Sequence, residues 1–246
     1  MKKQIVSVCA AVASFVAVAS TVESSNIFGV LKVPTGAGYG TNTEVIVGVP
    51  WLAVGSGEVN VAPTNLVATT GLTDGDWLFY YNPSDKNFYS WQLSSGSWAA
   101  ATTVEKVTTI TPTGSEVVAR GNALVVITTN SYVYLNGQYT STAVSAQTIA
   151  TGTQATDYTY TLLAPPTTSD YNVNDATWTN VNAGDWIVTG LDTIYTRNAD
   201  NTAWQKKNGK DGNGFTEYTT DGVTITAGRG AWYIRYGNGE APTVKW

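Results

Sequence analysis

The sequence predicts an all-β protein with two related antiparallel halves, each a β-sandwich or a barrel-like sheet, after an N-terminal signal peptide. Short alternating or β-branched runs recur along the chain, and no long stretch has the apolar spacing of an amphipathic helix. Turn-forming pairs such as Ser95-Gly96 and Asp221-Gly222 separate these runs. Motifs of the first half also recur in the second half. Together these three observations predict the fold class.

The N-terminal segment, residues 1–19, has the pattern of an export signal. Lys2 and Lys3 precede an uncharged, mostly apolar run, and Ala17-Val18-Ala19 has the small-x-small pattern that signal peptidase recognises. Cleavage after Ala19 removes the single cysteine and the single methionine. An uncleaved membrane anchor is the alternative, because the run is just long enough to span a bilayer. We therefore expect an exported protein, extracellular or on the cell surface, without disulfides.

Several short runs rich in β-branched and aromatic residues predict strands. The predicted strands are Glu44–Val49, Trp77–Tyr81, Phe88–Leu93, Leu124–Thr128, Tyr132–Leu135, Tyr158–Leu163, Trp186–Thr189, Phe215–Tyr218 and Trp232–Tyr236. The clearest hairpin turn is predicted at Asn136-Gly137. A single helical turn is predicted near Pro63–Val67.

Two short motifs indicate an internal repeat. Gly75-Asp76-Trp77 recurs as Gly184-Asp185-Trp186, and Arg120-Gly121 recurs at the same spacing as Arg229-Gly230. The spacing predicts a first β domain over residues 20–140, a linker over 141–156 and a second β domain over 157–246. A single sheet system built from two pseudo-equivalent halves is the alternative, with the linker supplying a strand that joins them.

The composition excludes most kinds of catalytic site. The chain has no histidine, and the mature chain would have no cysteine, so it offers neither a Ser-His-Asp triad nor a thiol nucleophile nor an imidazole metal ligand. We expect no enzyme activity, cofactor or metal. The formal net charge of −5 also excludes a nucleic-acid binder, because phosphate binding needs a dense basic surface. A glycosidase built on Asp74 and Asp76 and an outer-membrane barrel ending at Trp246 are the weaker alternatives.

The residues of the two recurring motifs are candidates for binding. Asp76 and Asp185 either cap the turns that precede buried strands or form equivalent polar contacts in two binding sites. Arg120 and Arg229 either pair with the aspartate of their own half or hold an acidic ligand. Their common spacing favours the ion pair.

The aromatic content invites a carbohydrate-binding interpretation. The chain has nine tryptophans and fourteen tyrosines, and sugar C–H faces stack on exposed aromatic rings. Trp91, Trp98 and Trp204 lie near polar loops and are the best candidates. Aromatic residues also favour strands and fill cores, so the alternative is that these rings are buried.

The chain combines the signal peptide, a Gly29-Val30 opening and the segment Val47-Gly48-Val49-Pro50-Trp51 with the Gly-Asp-Trp turns and the Arg-Gly-x-Ala strands. In these features the whole mature chain resembles a set of secreted β-rich repeat proteins from Verrucomicrobia and Lentisphaerae-type bacteria. No activity is known for that set, so the resemblance implies an extracellular surface role and carries over no catalytic or binding residue.

The sequence as a whole predicts a non-catalytic extracellular or cell-surface structural protein. Unpaired strand edges would let copies associate into a filament, a matrix or a surface layer, or let the protein join other surface components. The alternative is an extracellular carbohydrate-binding module that uses exposed tryptophan and tyrosine, with a glycan as partner.

Overall fold

The computed structural model describes residues 28–36, 43–50, 60–82, 84–102, 108–138, 144–190, 193–210 and 216–246. Within these ranges the chain is all-β, as predicted, apart from one short helix, α1 (Pro63–Leu66), and one 3-10 turn (Val173–Asp175). Helix α1 confirms the predicted helical turn; Pro63 occupies its first position, where the missing N–H costs nothing. The predicted signal peptide lies outside the described residues.

The first half contains ten strands among the described residues. They are β1 (Phe28–Pro34), β2 (Thr43–Gly48), β3 (Asn60–Val61), β4 (Trp77–Asn82), β5 (Asn87–Ser94), β6 (Ser97–Ala101), β7 (Thr109–Ile110), β8 (Val118–Ala119), β9 (Ala123–Thr128) and β10 (Tyr132–Gln138).

The second half contains eleven strands in the same part of the chain. They are β11 (Gln147–Thr148), β12 (Tyr158–Leu163), β13 (Tyr171–Asn172), β14 (Thr177–Thr179), β15 (Trp186–Gly190), β16 (Thr193–Arg197), β17 (Trp204–Lys210), β18 (Thr216–Thr219), β19 (Thr224–Ile225), β20 (Ala231–Tyr236) and β21 (Thr243–Lys245). Strand β11 lies within the predicted linker and pairs with β21.

Five strands of each large sheet pair in the same order in the two halves. The large sheet of the first half runs β2-β9-β4-β5-β6, with β7 beside β5, and that of the second runs β12-β20-β15-β16-β17-β18. Each large sheet is accompanied by smaller ones: β1-β10 and β3-β8 in the first half, β11-β21-β14 and β13-β19 in the second. Corresponding strands can therefore be compared position by position.

Each half has its own apolar core on one face of its large sheet. In the first half, Val45 and Val47 of β2 and Leu78 of β4 pack with Val133 and Leu135 of β10. The core of the second half contains Ile187, Trp204 and Tyr233, all fully buried. Because side chains alternate across a strand, the neighbouring residues point to the other face of each large sheet.

The other faces of the two large sheets meet at one corner, where the residues are small. Gly48 N–H donates to the Gly228 carbonyl at 2.9 Å, and Ala164 N–H donates to the Gly121 carbonyl at 2.7 Å. A Cβ atom added at Gly230 would lie 2.5 Å from the Ala123 Cβ. A third core cluster forms at this junction, with Ile46, Phe79 and Val125 of the first half and Leu162 and Trp232 of the second.

The hairpin turn predicted at Asn136-Gly137 is wrong. Both residues lie within β10, where Asn136 pairs with Val30 and Gly137 with Gly29 of β1. Strand β1 was not among the predicted strands, and its pairing with β10 extends that strand through a sequence that otherwise favours a turn.

The other predicted strands are observed, with ends that differ by one to three residues. Strand β12 has the predicted bounds, and β18 overlaps the predicted run Phe215–Tyr218, of which Phe215 lies outside the described residues. Most of the strands that were not predicted are only two or three residues long, too short to show an alternating pattern.

We predict that Gly230→Ala lowers the free energy of unfolding by about 1–3 kcal/mol, because the new methyl group must displace Ala123 or Ile46 at the junction. Urea unfolding followed by tryptophan fluorescence measures the change. Ala100→Val, at an exposed position of β6, is the control and should change stability by less than about 0.5 kcal/mol. An unchanged midpoint for Gly230→Ala would contradict the close approach of the sheets.

Candidate functional site

Asp76 and Asp185 form the same turn in the two halves. The Asp76 carboxylate accepts the Thr73 N–H at 2.9 Å, and the Asp185 carboxylate accepts the Asn182 N–H at 2.8 Å. The exposed fraction is 5% for Asp76 and 1% for Asp185. Both carboxylates therefore cap the turns before β4 and β15, and neither is available to a ligand.

The side chains that contact these two carboxylates differ between the halves. In the first half, Asp76 accepts hydrogen bonds from the Thr128 hydroxyl at 2.8 Å and the Asn130 amide at 3.1 Å. In the second, Asp185 accepts from the Tyr233 hydroxyl and lies 3.8 Å from the buried Arg235 guanidinium. Burial raises the pKa of Asp185, although hydrogen bonds from Asn182 and Tyr233 and the charge of Arg235 oppose the rise. This buried cluster is part of the framework.

The predicted ion pairs of Arg120 and Arg229 are wrong. Arg120 donates to the Pro50 carbonyl at 2.9 Å and to the Pro166 carbonyl at 3.1 Å, so it links the two halves. Arg235, not Arg229, is the cation beside Asp185. Burial lowers the pKa of the Arg229 guanidinium.

The strand register explains the error. Ile127 pairs with Trp77 and Ile234 with Trp186, so these positions correspond 107 residues apart, whereas the tryptophans are 109 apart. Gly121 therefore corresponds to Gly228, and both have positive φ. The second half has two residues fewer than the first between the tryptophan and its paired isoleucine. Arg120 and Arg229 are therefore 109 residues apart in sequence but do not occupy corresponding positions in the two sheets.

The three tryptophans considered for sugar binding lie on the core side of their strands. Trp91 is 6% exposed and Trp204 is fully buried. Trp98 is half-buried, and its indole N–H donates to the Val67 carbonyl at 2.9 Å. Strand alternation turns all three toward the cores, so the interpretation that these rings fill the cores is the correct one and they do not form a sugar-binding surface.

A different set of aromatic residues is exposed, on the outer face of the second large sheet. The cross-strand pairs Tyr158–Tyr236, Tyr160–Ile234, Trp186–Ile234 and Val188–Ile194 place them on that one face. Six large side chains of this face are each between 42% and 55% exposed. We call this surface the aromatic face, and its members are Tyr158, Tyr160, Trp186, Ile194, Tyr218 and Tyr236.

The aromatic face leads into a cavity at the junction of the two halves. This cavity has a volume of about 330 Å³ and is lined by Tyr81, Phe88, Tyr160, Val188, Trp232 and Ile234. Trp232 is its centre: the ring centroid of Trp232 lies 5.9 Å from that of Tyr81, 6.0 Å from that of Phe88 and 6.3 Å from that of Tyr160. Burial raises the pKa of the Tyr81 hydroxyl, with a smaller contribution from Asp85. Such a pocket suits a flat, largely apolar molecular face.

Asp74 and Asp76, the two carboxylates considered for glycoside hydrolysis, both accept hydrogen bonds from backbone N–H groups of turns. The Asp74 carboxylate accepts the N–H groups of Ser95 and Gly96 at 2.9 and 3.1 Å, while Asp76 is buried in its turn. No group of three potential metal ligands occurs among the residues that the structure describes. A search of the same residues for helices of membrane-spanning length and hydropathy gives none.

Comparison of the chain with family models, with curated proteins and with solved structures gives no match.

We predict that Asp185→Ala destabilises the protein more than Asp76→Ala. Both variants leave a turn N–H without its acceptor, which costs about 1–3 kcal/mol. Asp185→Ala also leaves the buried Arg235 without its carboxylate, and breaking a buried ion pair costs about 3–5 kcal/mol. Urea midpoints of the two variants measure the difference. Equal losses would contradict a structural role for the charge on Arg235.

Proposed function

We propose that this chain is an exported, non-catalytic protein of the cell exterior that binds an extended polysaccharide through its aromatic face. One observation carries the proposal: six of the ten exposed large hydrophobic side chains among the described residues belong to this face. A concentration of exposed aromatic side chains on one surface is typical of an interaction site. The lack of histidine and the burial or turn-capping of the candidate carboxylates support a non-catalytic role.

The spacing of the rings fits an extended glycan. Tyr160 on β12 and Trp186 on β15 both align with Ile234 of β20, which lies between them. Two strand spacings separate the backbones of Tyr160 and Trp186 by roughly 10 Å. A β-1,4-linked disaccharide repeats over about the same length, so successive sugar rings of one orientation can stack on these two side chains.

Polar groups continue the same row. Thr196 pairs with Trp186, and Gln205 pairs with Thr196, so a hydroxyl and an amide follow the indole across the sheet. Lys207 pairs with Tyr218 in the next row. Sugars need an aromatic surface for their C–H faces and hydrogen-bonding groups for their hydroxyls. This mixture favours a glycan over a purely apolar partner.

Self-association into a filament, matrix or surface layer is the second candidate function. The observation that favours it is the position of the terminal strands β6 and β18, which end the two large sheets far from the junction. Ala99 and Ala100 of β6 and Glu217 and Tyr218 of β18 are exposed. A contact between β6 of one copy and β18 of another would continue the sheet without closing a ring.

We also infer that the two halves are copies of one unit. The common order of strand pairing, the Gly-Asp-Trp turns and the corresponding Gly121 and Gly228 support this inference. The aromatic face then belongs to one copy only, because the corresponding face of the first half contributes Phe79 and Val125, which are buried.

We predict that the double variant Tyr160→Ala with Trp186→Ala binds microcrystalline cellulose at least about tenfold more weakly than the wild type, because two stacking rings are lost. Sedimentation with the solid polysaccharide measures binding. Tyr132→Ala is the matched control, since Tyr132 is 41% exposed and Trp186 is 42% exposed. The control should bind normally.

Light scattering on the same samples distinguishes the two candidates. Wild-type protein that binds neither cellulose nor chitin, and whose mass increases with concentration, would contradict the glycan proposal and favour self-association. Equal binding by the wild type and the double variant would show that the aromatic face is not the binding surface.

A further inference from the structure

A second cavity lies on the core side of the second large sheet, away from the aromatic face. It has a volume of about 400 Å³, and its lining includes Asn174, Trp178, Arg197, Thr202 and Thr220. Arg197 pairs across β16 and β17 with Trp204, a core residue, whereas its neighbour Thr196 points to the outer face. The two surfaces are therefore separated by the sheet.

The Arg197 guanidinium is held in one orientation. Its Nε donates to the Asn201 side-chain oxygen at 3.0 Å, and its Nη2 donates to the Asn201 carbonyl at 2.8 Å. The guanidinium carbon lies 5.5 Å from the centre of the Trp204 ring. Among the described residues, Nη1 has no hydrogen-bond partner and no carboxylate forms an ion pair with Arg197. Burial lowers the pKa of the Arg197 guanidinium, and electrostatic interactions with Tyr233 and Asp200 oppose this decrease.

Contacts on several sides also hold Trp178 in place at the same cavity. Its indole N–H donates to the Val173 carbonyl at 2.9 Å. Its ring stacks on Tyr233 with centroids 5.9 Å apart and forms T-shaped contacts with Trp204 and Trp246, with centroids 5.1 and 5.7 Å apart. The side chain remains half-buried, so part of it borders the cavity. A rigid ring beside a rigid guanidinium loses little entropy when a ligand binds.

The first half shows that the fold does not require Arg197. Leu93 pairs with Trp98 as Arg197 pairs with Trp204, so Leu93 corresponds to Arg197. Leu93 is buried. The same pair of strands thus carries an aliphatic core residue in one half and a cation that borders a cavity in the other.

We propose that this cavity binds a pyranose unit that carries a carboxylate, a uronate. The Trp178 ring offers a surface for the sugar C–H face, and the Thr220 hydroxyl offers a hydrogen bond to a sugar hydroxyl. The unused Nη1 of Arg197 donates to the carboxylate, whose charge compensates a cation that has no other ion pair among the described residues. A neutral sugar supplies no such compensation. The proposal does not depend on the aromatic face.

Isothermal titration of the full chain with trigalacturonate and with cellotriose tests the proposal. We expect wild-type protein to bind trigalacturonate, and Arg197→Leu to bind it at least about tenfold more weakly. Arg197→Leu introduces the residue that the first half has at the corresponding position, so the fold is expected to persist. Circular dichroism and the urea midpoint check this.

Two further variants keep the result interpretable. Arg197→Lys retains the charge without the planar fork and should bind with intermediate affinity, and it replaces Arg197→Leu if that variant fails to fold. Tyr132→Ala, an exposed position of β10 outside both surfaces, should bind trigalacturonate as the wild type does. The proposal is overturned if wild-type protein does not bind trigalacturonate, if cellotriose binds equally well, or if both Arg197 variants retain wild-type affinity.

Discussion

Small side chains at one corner let the backbones of the two large sheets approach within hydrogen-bonding distance. Gly48 and Ala164 donate across this junction, and Gly230 leaves no room for a Cβ. The approach places Trp232 against the edges or faces of Tyr81 and Phe88 of the first half, and these rings line the aromatic cavity. It covers only one end of the second large sheet. The rest of that sheet's outer face keeps its aromatic side chains exposed, and the proposed binding surface results from this incomplete coverage.

The two halves share the turn before the central strand and differ in the side chains that surround it. Each half begins its central strand with a Gly-Asp-Trp turn whose carboxylate is satisfied inside the protein. Around that constant turn, neutral partners in the first half are replaced by Tyr233 and Arg235 in the second. Where the first half has the buried Leu93, the second has Arg197. Exposed aromatic residues and a polar cavity thus occur together in the half whose core is less aliphatic.

The sequence predicts the fold class and most of the longer strands, because alternation and turn residues are local signals. It misses the pairing of β10 with β1, since a long-range strand pairing overrides the turn preference of Asn136-Gly137. It also mistakes which aromatic rings are exposed. Trp204 and Trp186 each begin a strand after a polar turn segment, and only the strand register shows that one points into the core and the other to solvent. The equivalence of Arg120 and Arg229 fails for the same reason, a shift of two residues in register.

Hydroxyl-radical footprinting with mass spectrometry, in the presence and absence of cellulose, tests the central claim most directly. The free protein should be oxidised at Tyr158, Tyr160, Trp186 and Tyr236, and cellulose should protect these four residues together while Tyr132 on β10 stays reactive. Trp91 and Trp204 should be unreactive in both states because they are buried. Protection of Tyr132 alone, protection of none of these residues, or strong oxidation of Trp204 would contradict the account.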